Sequence, residues 1–595
     1  MSRPRREYPT ILCIVVAIAD LLAKAGAMGS LSPVHYAIRQ PCRLLRVDSR
    51  TNVINAPRQH SNLPLSLRPV ASIAPSPSFP HQNARAFSRH SSRCASRRAS
   101  RHVNLTESPP RIALHSSPRD RHSSLRVRAA AERGALAAQQ SDSAARESVD
   151  VLIAGAGVAG LATALALHRV GIDVAVVERA PALGQSGTAL SLWGNAWRAL
   201  DALGVAGLLR AHYVRLEGID IAAADGTTLR SFDFADCNVG PDHEVRGVTR
   251  AHLLSCMAAQ LPPGTIRFAT TITHMPEPTA TASPVTVTLS NGATIEAKAL
   301  IGCDGNASAV ASLLGLPPTN YAGYRAARGV AELDPAESAD SAVAADSGGD
   351  AEGGDVGGSV EGRGRVGMVW GRGVRVGMYP LTPTRVYWFT CYNAPPSPLP
   401  PRGSAAAKEE ALSYVQGWQG CIERLIHATP AASIVVGTIT DRWSMPPPLG
   451  TWGRGAVTLA GDAAHPMTPN LGQGACTALE DAVVLARCLW EASVPDGEDR
   501  KGSDGVGGGE DGTSVRRRVG SEKVCGALRE YERLRGRRVA QLTVRSFGIG
   551  WLLQLPQELV CFARDKVVLP HLFSPSHFLD HALFDCGKLP DSDAS

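Results

Sequence analysis

What the chain lacks narrows its function before any motif is read. Thirteen cysteines are scattered along 595 residues and no pair falls at C-x-x-C spacing, which argues against a zinc site, a redox-active dithiol or a dense disulfide framework and fits a reducing compartment. The early apolar run, residues 11–19, is too short to span a membrane and has the shape of a signal-peptide core. Acids are nearly missing at the start: the first 129 residues hold 21 of the 61 basic side chains but only 5 of the 54 acidic ones, which leaves the remainder with a net charge of −9. A mildly acidic body behind a basic leader does not read as a nucleic-acid binder.

What is present is organised around residues 149–179. Residues 149–154 form a short apolar run with the β-branched content of a buried parallel strand. Gly155, Gly157 and Gly160 follow at G-x-G-x-x-G spacing, and an alanine-rich helix continues to Gly171. In such a turn Gly155 makes the tight bend, Gly157 lets backbone approach a pyrophosphate and Gly160 allows close helix–strand packing, with the phosphate on the helix N-terminus. A second strand, residues 174–177, ends in Glu178, whose carboxylate can accept from ribose hydroxyls and repel a 2′-phosphate. Strand, glycines, helix, strand and acid in order within about thirty residues make one βαβ unit. The unit points to dinucleotide binding and does not separate FAD from NAD.

Residues 1–130 are expected to be a targeting leader. Arg3, Arg5 and Arg6 precede the apolar run, and residues 31–128 are rich in Ser, Arg and Pro, the composition of a plastid transit peptide. A signal-plus-transit leader for a secondary plastid and a mitochondrial presequence are the alternatives. Residues 216–223 and 229–234 read as strands of a second, antiparallel layer, and Arg250 heads a helix. Strands recur at 266–272, 285–289 and 293–296, the last two joined by Ser290-Asn291-Gly292, and a further apolar strand at 299–302 ends in Cys303-Asp304-Gly305. Residues 331–365 and 496–515 are low in complexity and read as disordered insertions. Between them come long alternating strands, 366–379 and 385–392, a helix or helix pair at 405–428, a buried strand at 456–460 and a helix from near Gly474. A charged helix is expected over 523–546, and residues 551–573 are more apolar.

Three segments in order, Gly155-x-Gly157-x-x-Gly160, Cys303-Asp304-Gly305 and Gly461-Asp462, resemble the fingerprints of the class A flavoprotein monooxygenases, the aromatic-hydroxylase family. The third, residues 460–474 with Glu480-Asp481-Ala482, is most similar to plant monooxygenases related to zeaxanthin epoxidase and to salicylate and 3-hydroxybenzoate hydroxylases. The resemblance implies an α/β fold, with a Rossmann-like FAD-binding domain on a parallel sheet, an interleaved antiparallel-sheet substrate domain and C-terminal helices. Residues 149–330 would be the first part of the FAD-binding domain with interleaved substrate strands, 366–445 the substrate sheet, 446–495 the return of the FAD-binding domain and 516–595 a C-terminal helical region.

The resemblance also implies cofactor-binding residues: Gly155, Gly157, Gly160, Glu178, Arg179, Arg250, Asp304, Gly461, Asp462, Pro466, Gly472 and Gly474. No metal is expected, and no catalytic acid or base is legible. Asp462 follows a buried strand at its C-terminal end, where ligands bind in open α/β sheets, and a carboxylate there can hold a ribityl hydroxyl. Bare N–H groups at the helix start after Leu471-Gly472-Gln473-Gly474 can stabilise negative charge on the flavin. His465 belongs to the same loop and is assigned a structural place; Arg198 is a weaker candidate for the cofactor. Tyr387, Trp388 and Phe389 alternate sides of a strand and line either a core or a cavity.

The activity so implied is hydroxylation of a small aromatic compound with bound FAD, NADPH or NADH and O2, through a flavin C4a-hydroperoxide. Epoxidation of a carotenoid or other isoprenoid and a non-catalytic FAD-binding regulator are the alternatives. No second G-x-G-x-x-G turn set between a strand and a helix appears, as expected where the nicotinamide docks transiently, and the W-x-W-x-I-P motif of flavin halogenases is absent. Residues 551–573 are a candidate for peripheral membrane contact.

Overall fold

The structure, a computed structural model, describes residues 147–184, 188–237, 240, 243–278, 284–334, 364–443, 450–495 and 516–590, all in one compact unit, Gln139–Ser595. The leader, the 496–515 insertion and residues 335–363 of the first insertion lie outside the described residues.

The chain begins with strand β1 (Glu147–Ala154), helix α1 (Val158–Arg169) and strand β2 (Val174–Val177). β1 is buried on both faces from Val149 onward, as a strand covered by helices must be. β3 (Ala189–Leu192), α2 (Gly194–Ala202), α3 (Ala206–Arg210), β4 (Gly218–Ala223), β5 (Thr228–Asp233), β6 (Arg246–Thr249) and α4 (Arg250–Ala258) follow. Then come β7 (Ile266–Arg267), β8 (Ile272–His274), β9 (Val285–Leu289), β10 (Thr294–Gly302), α5 (Ala309–Leu313) and β11 (Asn320–Glu332). β12 (Arg365–Trp370), β13 (Val374–Thr382), β14 (Arg385–Asn393), α6 (Ala405–Ser413), α7 (Ile422–Ala428) and β15 (Val435–Asp441) complete the second layer. The return consists of β16 (Val457–Leu459), α8 (Gly474–Glu491), the pair β17 (Ser493–Pro495) and β18 (Arg517–Val519), α9 (Val524–Leu553), α10 (Glu558–Ala563) and α11 (Pro575–Leu579).

Two seven-stranded sheets carry the architecture. The first runs β7-β2-β1-β10-β9-β8, with β16 also on β10; its central pairs are parallel. The second runs β15-β11-β14-β13-β12-β4-β5. It is not wholly antiparallel as expected, because β4 pairs with β12 in parallel, Gly218 opposite Arg365.

Three strand expectations change. Residues 293–296 and 299–302 are one strand: β10 pairs antiparallel with β9 through its first half and parallel with β16 through its last residues. Lys298, inside this strand, is accommodated by an ion pair to Asp150 at 2.7 Å. Residues 366–379 are two strands, because Gly373 turns the chain at φ +67° and pairs β12 back on β13. The stretch 266–272 is split around Ala269, which sits at φ 51°. At the other end, α9 runs on to Leu553, and β11 extends to Glu332, two residues into the stretch read as an insertion.

One large core fills the space between the first sheet and helices α1, α2, α4, α8 and α9, and a smaller one lies between the second sheet and α6–α7. Among the described residues no helix is long and apolar enough to cross a membrane. Within 551–573, Leu559, Phe562, Val567 and Leu572 are exposed.

Candidate functional site

Four segments leave the first sheet at one edge. Gly155 donates to Val177 O at 2.7 Å, Cys303 to Ala154 O at 2.8 Å and Ala460 to Gly302 O at 2.9 Å, so the ladder extends just past β1, β2, β10 and β16 before each chain turns away. Their next residues are Gly155–Gly157, Glu178, Asp304 and Gly461-Asp462. This edge is the C-terminal end of the parallel strands, the position where open α/β sheets bind ligands.

The three glycines have separable reasons. Gly155 has φ +102°, and a methyl group on it would lie 2.6 Å from Cys303 O. A methyl on Gly160 would fall inside the carbonyl oxygen of Gly155, so this glycine seats α1 on the turn itself as well as against Cys303. Gly157 is different: the protein leaves it open, and a methyl there would meet only Arg250 Nη2, at 3.7 Å. Gly461 resembles Gly155, with φ +59° and Ala159 Cβ 2.7 Å from where its methyl would be.

Glu178 accepts from Ala156 N at 2.7 Å through one carboxylate oxygen and from Ala180 N at 2.8 Å through the other. It thereby fixes the glycine-rich turn, and each oxygen retains a lone pair for a hydroxyl. Arg250 starts α4 and reaches back over the turn. Burial pulls its guanidinium below the usual range, against the opposing charges of Glu178 and Asp462. Asp462 is exposed to solvent yet ringed by protein, the situation of a group on the floor of a cleft; burial raises its carboxyl, while His465 and Arg250 act against that. A methyl on Gly474 would lie 3.7 Å from Asp462 Oδ1, so the carboxylate stands at the start of α8, whose first turn has no side-chain cap.

Asp304 divides its carboxylate. Oδ2 accepts from Ala309 N at 2.7 Å and Val310 N at 3.3 Å, capping the start of α5, and Oδ1 is buried without a partner among the described residues. The loop between β16 and α8 is braced by Arg442, unnoticed in the sequence, which donates to Ala463 O at 2.6 Å and through its backbone N to Pro466 O at 3.1 Å. Gly472 closes the 3-10 turn Pro469–Leu471 at φ +62°, with Ser191 Oγ 2.8 Å and Trp193 Nε1 3.0 Å from where its methyl would be. Trp193 Nε1 and Gln473 Nε2 are buried without partners among the described residues. Two further candidates make no contact with these groups among the described residues. Arg198 donates to Ala582 O and Phe584 O at 2.9 and 3.1 Å, tying α2 to the C-terminal segment. Arg179 is exposed and has no hydrogen bond or ion pair among the described residues.

Next to Arg442, burial pushes the Asp441 carboxyl up to about 6, while a hydrogen bond involving Trp443 acts the other way. The folded state thus holds this proton more tightly than the unfolded chain, whose carboxyl titrates near ~3.9. The stability it contributes is present below about pH 4 and is lost as pH rises through about 6. Asp441→Asn is expected to stabilise the protein by about 1–2 kcal/mol at pH 8 and to change little at pH 4, read from urea unfolding at both pH values.

Beneath the loop lies a buried ionic network. Asp481 of α8 accepts from Gly461 N at 2.9 Å, faces His465 Nε2 at 2.6 Å and takes Arg535 Nε of α9 at 2.7 Å. Arg535 Nη2 also reaches Glu480 Oε2 at 2.5 Å, and Glu480 accepts from Asn195 Nδ2 at 2.6 Å. Burial works to raise the Asp481 carboxyl, but His465 and Arg535 outweigh it and hold it well below the usual range. An acidic pair inside an otherwise apolar helix was the available sequence signal for Glu480 and Asp481. Arg535 had none, since its neighbours in a charged helix look the same.

One face of the second sheet meets this loop. Arg375 of β13 donates to Asn470 Oδ1, and Asn470 Nδ2 donates to Ser546 O of α9 at 2.7 Å. Tyr387 and Phe389 face this side, where Tyr387 packs at a tilt of 40° against Tyr379 with ring centroids 5.0 Å apart. Trp388 faces the other core and donates to Thr429 Oγ1 at 2.8 Å.

A dinucleotide flavin fits these groups: an open glycine turn, an uncapped helix start, buried carboxylate and N–H atoms without partners, and a carboxylate on an open floor. A family model described as FAD binding domain matches residues 148–339 and 445–500. Monooxygenase 2 of Arabidopsis thaliana is 31% identical over 446 residues, covering 74% of this chain and 98% of that protein. The 3-hydroxybenzoate 6-hydroxylase of Klebsiella oxytoca is 33% identical over 350 residues, covering 57% of this chain and 79% of its own. The fold matches Klebsiella pneumoniae HpxO, solved with FAD and uric acid, at a TM-score of 0.57 and 24% identity, over 74% of this chain and 98% of that one. The chain belongs to the class A flavoprotein monooxygenases and is an FAD-dependent enzyme of that family.

Proposed function

We propose that the enzyme hydroxylates a small aromatic compound, consuming NADPH or NADH and O2. The observation that carries the reading is the meeting of Gly155–Gly160, Asp304 and Asp462 at one sheet edge, facing an aromatic-lined sheet across the loop 466–474. Bound FAD supplies the oxygen activation and oxygen-atom transfer. The protein holds and aims it. Gly157 and the start of α1 would take the pyrophosphate, Glu178 a ribose, Asp462 and Asp304 the hydroxyls of the chain that links the phosphates to the ring, and the bare start of α8 the pyrimidine edge. The aromatic side of the second sheet would close the site over the bound group and exclude water.

Asp462→Ala removes a charge-assisted hydrogen bond of about 1.5–3 kcal/mol and is expected to weaken FAD binding about 10- to 100-fold. Fluorescence titration of the stripped protein with FAD measures it; an unchanged affinity would remove Asp462 from the site. Residues 1–130 are assigned to plastid import. Uptake and processing by isolated chloroplasts supports that assignment, and retention of the whole leader outside them counts against it.

A further inference from the structure

The C-terminal segment, α11 and the 3-10 turn Asp580–Leu583 with the residues after it, lies beyond the stretches that the family model matches. Its backbone carbonyls are gripped by arginines from three helices. Arg538 of α9 donates to His581 O at 2.6 Å, Arg198 of α2 to Ala582 O at 2.9 Å and Phe584 O at 3.1 Å, and Arg487 of α8 to Cys586 O at 3.0 Å. Charged donors on main-chain carbonyls make strong hydrogen bonds, so the place of this segment against α2, α8 and α9 is fixed through its backbone.

Phe584 is the side chain that this grip aims inward. Its ring centroid lies 4.6 Å from the guanidinium carbon of Arg538 and 5.3 Å from that of Arg535. These are the two arginines of the ionic network beneath the flavin loop: Arg535 holds Asp481 and Glu480, and Arg538 reaches Glu480 Oε1 at 3.2 Å. Each keeps one buried nitrogen without a hydrogen-bond partner among the described residues, Nη1 of Arg535 and Nε of Arg538. A buried N–H left unmade is costly. The negative face of an aromatic ring attracts a guanidinium where no oxygen is at hand, and does so more strongly away from water. Arg535 is fully buried. An aliphatic side chain at position 584 would fill much of the same space and supply none of that attraction.

What the ring steadies leads to the cofactor loop. Asp481 takes Arg535 on Oδ1, while its Oδ2 accepts from Gly461 N and faces His465 Nε2. A shift of Arg535 is therefore passed through one carboxylate to the residue before Asp462. A second contact runs beside the first: His581 packs edge-on against Trp193, ring centroids 5.3 Å apart, and Trp193 Nε1 stands 3.0 Å from where a methyl on Gly472 would be.

We propose that Phe584 is a positioning residue for FAD: through Arg535, Arg538 and Asp481 it holds the loop carrying Asp462 in its binding arrangement. The inference rests on the assignment of Asp462 to the flavin. The test uses the full chain, stripped and titrated with FAD by fluorescence, well below the thermal unfolding of each variant. Phe584→Leu is expected to weaken FAD binding about five- to tenfold, the loss of a desolvated cation–π contact. Phe584→Tyr, which keeps the ring face, should stay within about twofold of wild type. In an Asp481→Asn background, Phe584→Leu should add no more than about threefold, because the link it acts through is already weakened. A Phe584→Leu protein that melts earlier yet binds FAD with unchanged affinity overturns the proposal, since lost packing alone does that. So does a Phe584→Tyr variant as weak as Phe584→Leu, or an undiminished effect of Phe584→Leu in the Asp481→Asn background. If Phe584→Leu fails to fold, Phe584→Met carries the same comparisons. Failure of the underlying assignment shows separately, as an Asp462→Ala variant that binds FAD like wild type.

Discussion

Gly160→Ala is expected to destabilise the protein by about 3–5 kcal/mol and to remove bound FAD, while Gly157→Ala removes FAD and leaves the fold intact. The contrast follows from what each methyl would meet. At Gly160 it would overlap the carbonyl oxygen of Gly155, a backbone atom that cannot swing away, so helix α1 must lift off the turn. At Gly157 it has ordinary contact with the mobile end of Arg250, 3.7 Å away, at a position with φ −80° that any residue adopts. The protein has room for that methyl; a pyrophosphate against the backbone does not. Thermal unfolding of stripped protein, followed by FAD titration, separates the two effects. Equal stability of the two variants would show that the packing role of Gly160 is misassigned. Full FAD affinity in Gly157→Ala would show the same for the approach of the phosphate.

Asp481→Ala is expected to cost about 3–5 kcal/mol, because it leaves Arg535 buried, half-paired and with Glu480 alone to compensate it. It also frees Gly461 N and His465, so the loop carrying Asp462 loses its anchor and FAD affinity falls with stability. Asp481→Asn keeps the shape and loses the charge, and should lie between. Because the folded state holds this carboxyl below its unfolded value, its contribution is present above about pH 4 and is lost as pH falls through the depressed value. The wild-type protein should therefore lose more stability than Asp481→Asn between pH 5 and pH 3. Parallel acid unfolding curves for the two would contradict this account of the network.

The fold and the cofactor edge were largely legible in the sequence, because both rest on local signals. Burial on two faces makes β1 and β16 mainly apolar, with Asp150 and Thr458 the polar residues inside the buried stretches, and the glycines with positive φ stand where the chain must turn sharply: Gly155 and Gly461 beside strand ends, Gly472 at the end of a 3-10 turn. Long-range contacts were not legible. Nothing in the sequence pairs Lys298 with Asp150, Arg442 with the Ala463 carbonyl, or Arg535 with Asp481; those contacts exist only once the chain is folded. For Arg198, helical position alone cannot tell a cofactor ligand from a clamp, and the structure shows it donating to Ala582 O and Phe584 O. Tyr379 was missed because its register against Tyr387 depends on the turn before β14.

The central claim is oxygen transfer to a small aromatic substrate. Its most direct test is mass spectrometry of products formed by the FAD-loaded full chain with NADPH or NADH under 18O2, across hydroxybenzoates and their neutral analogues. The account predicts a hydroxylated product carrying one 18O atom, formed in proportion to the reduced nicotinamide consumed. Reduced nicotinamide consumed under 18O2 with every aromatic compound recovered unlabelled would contradict it.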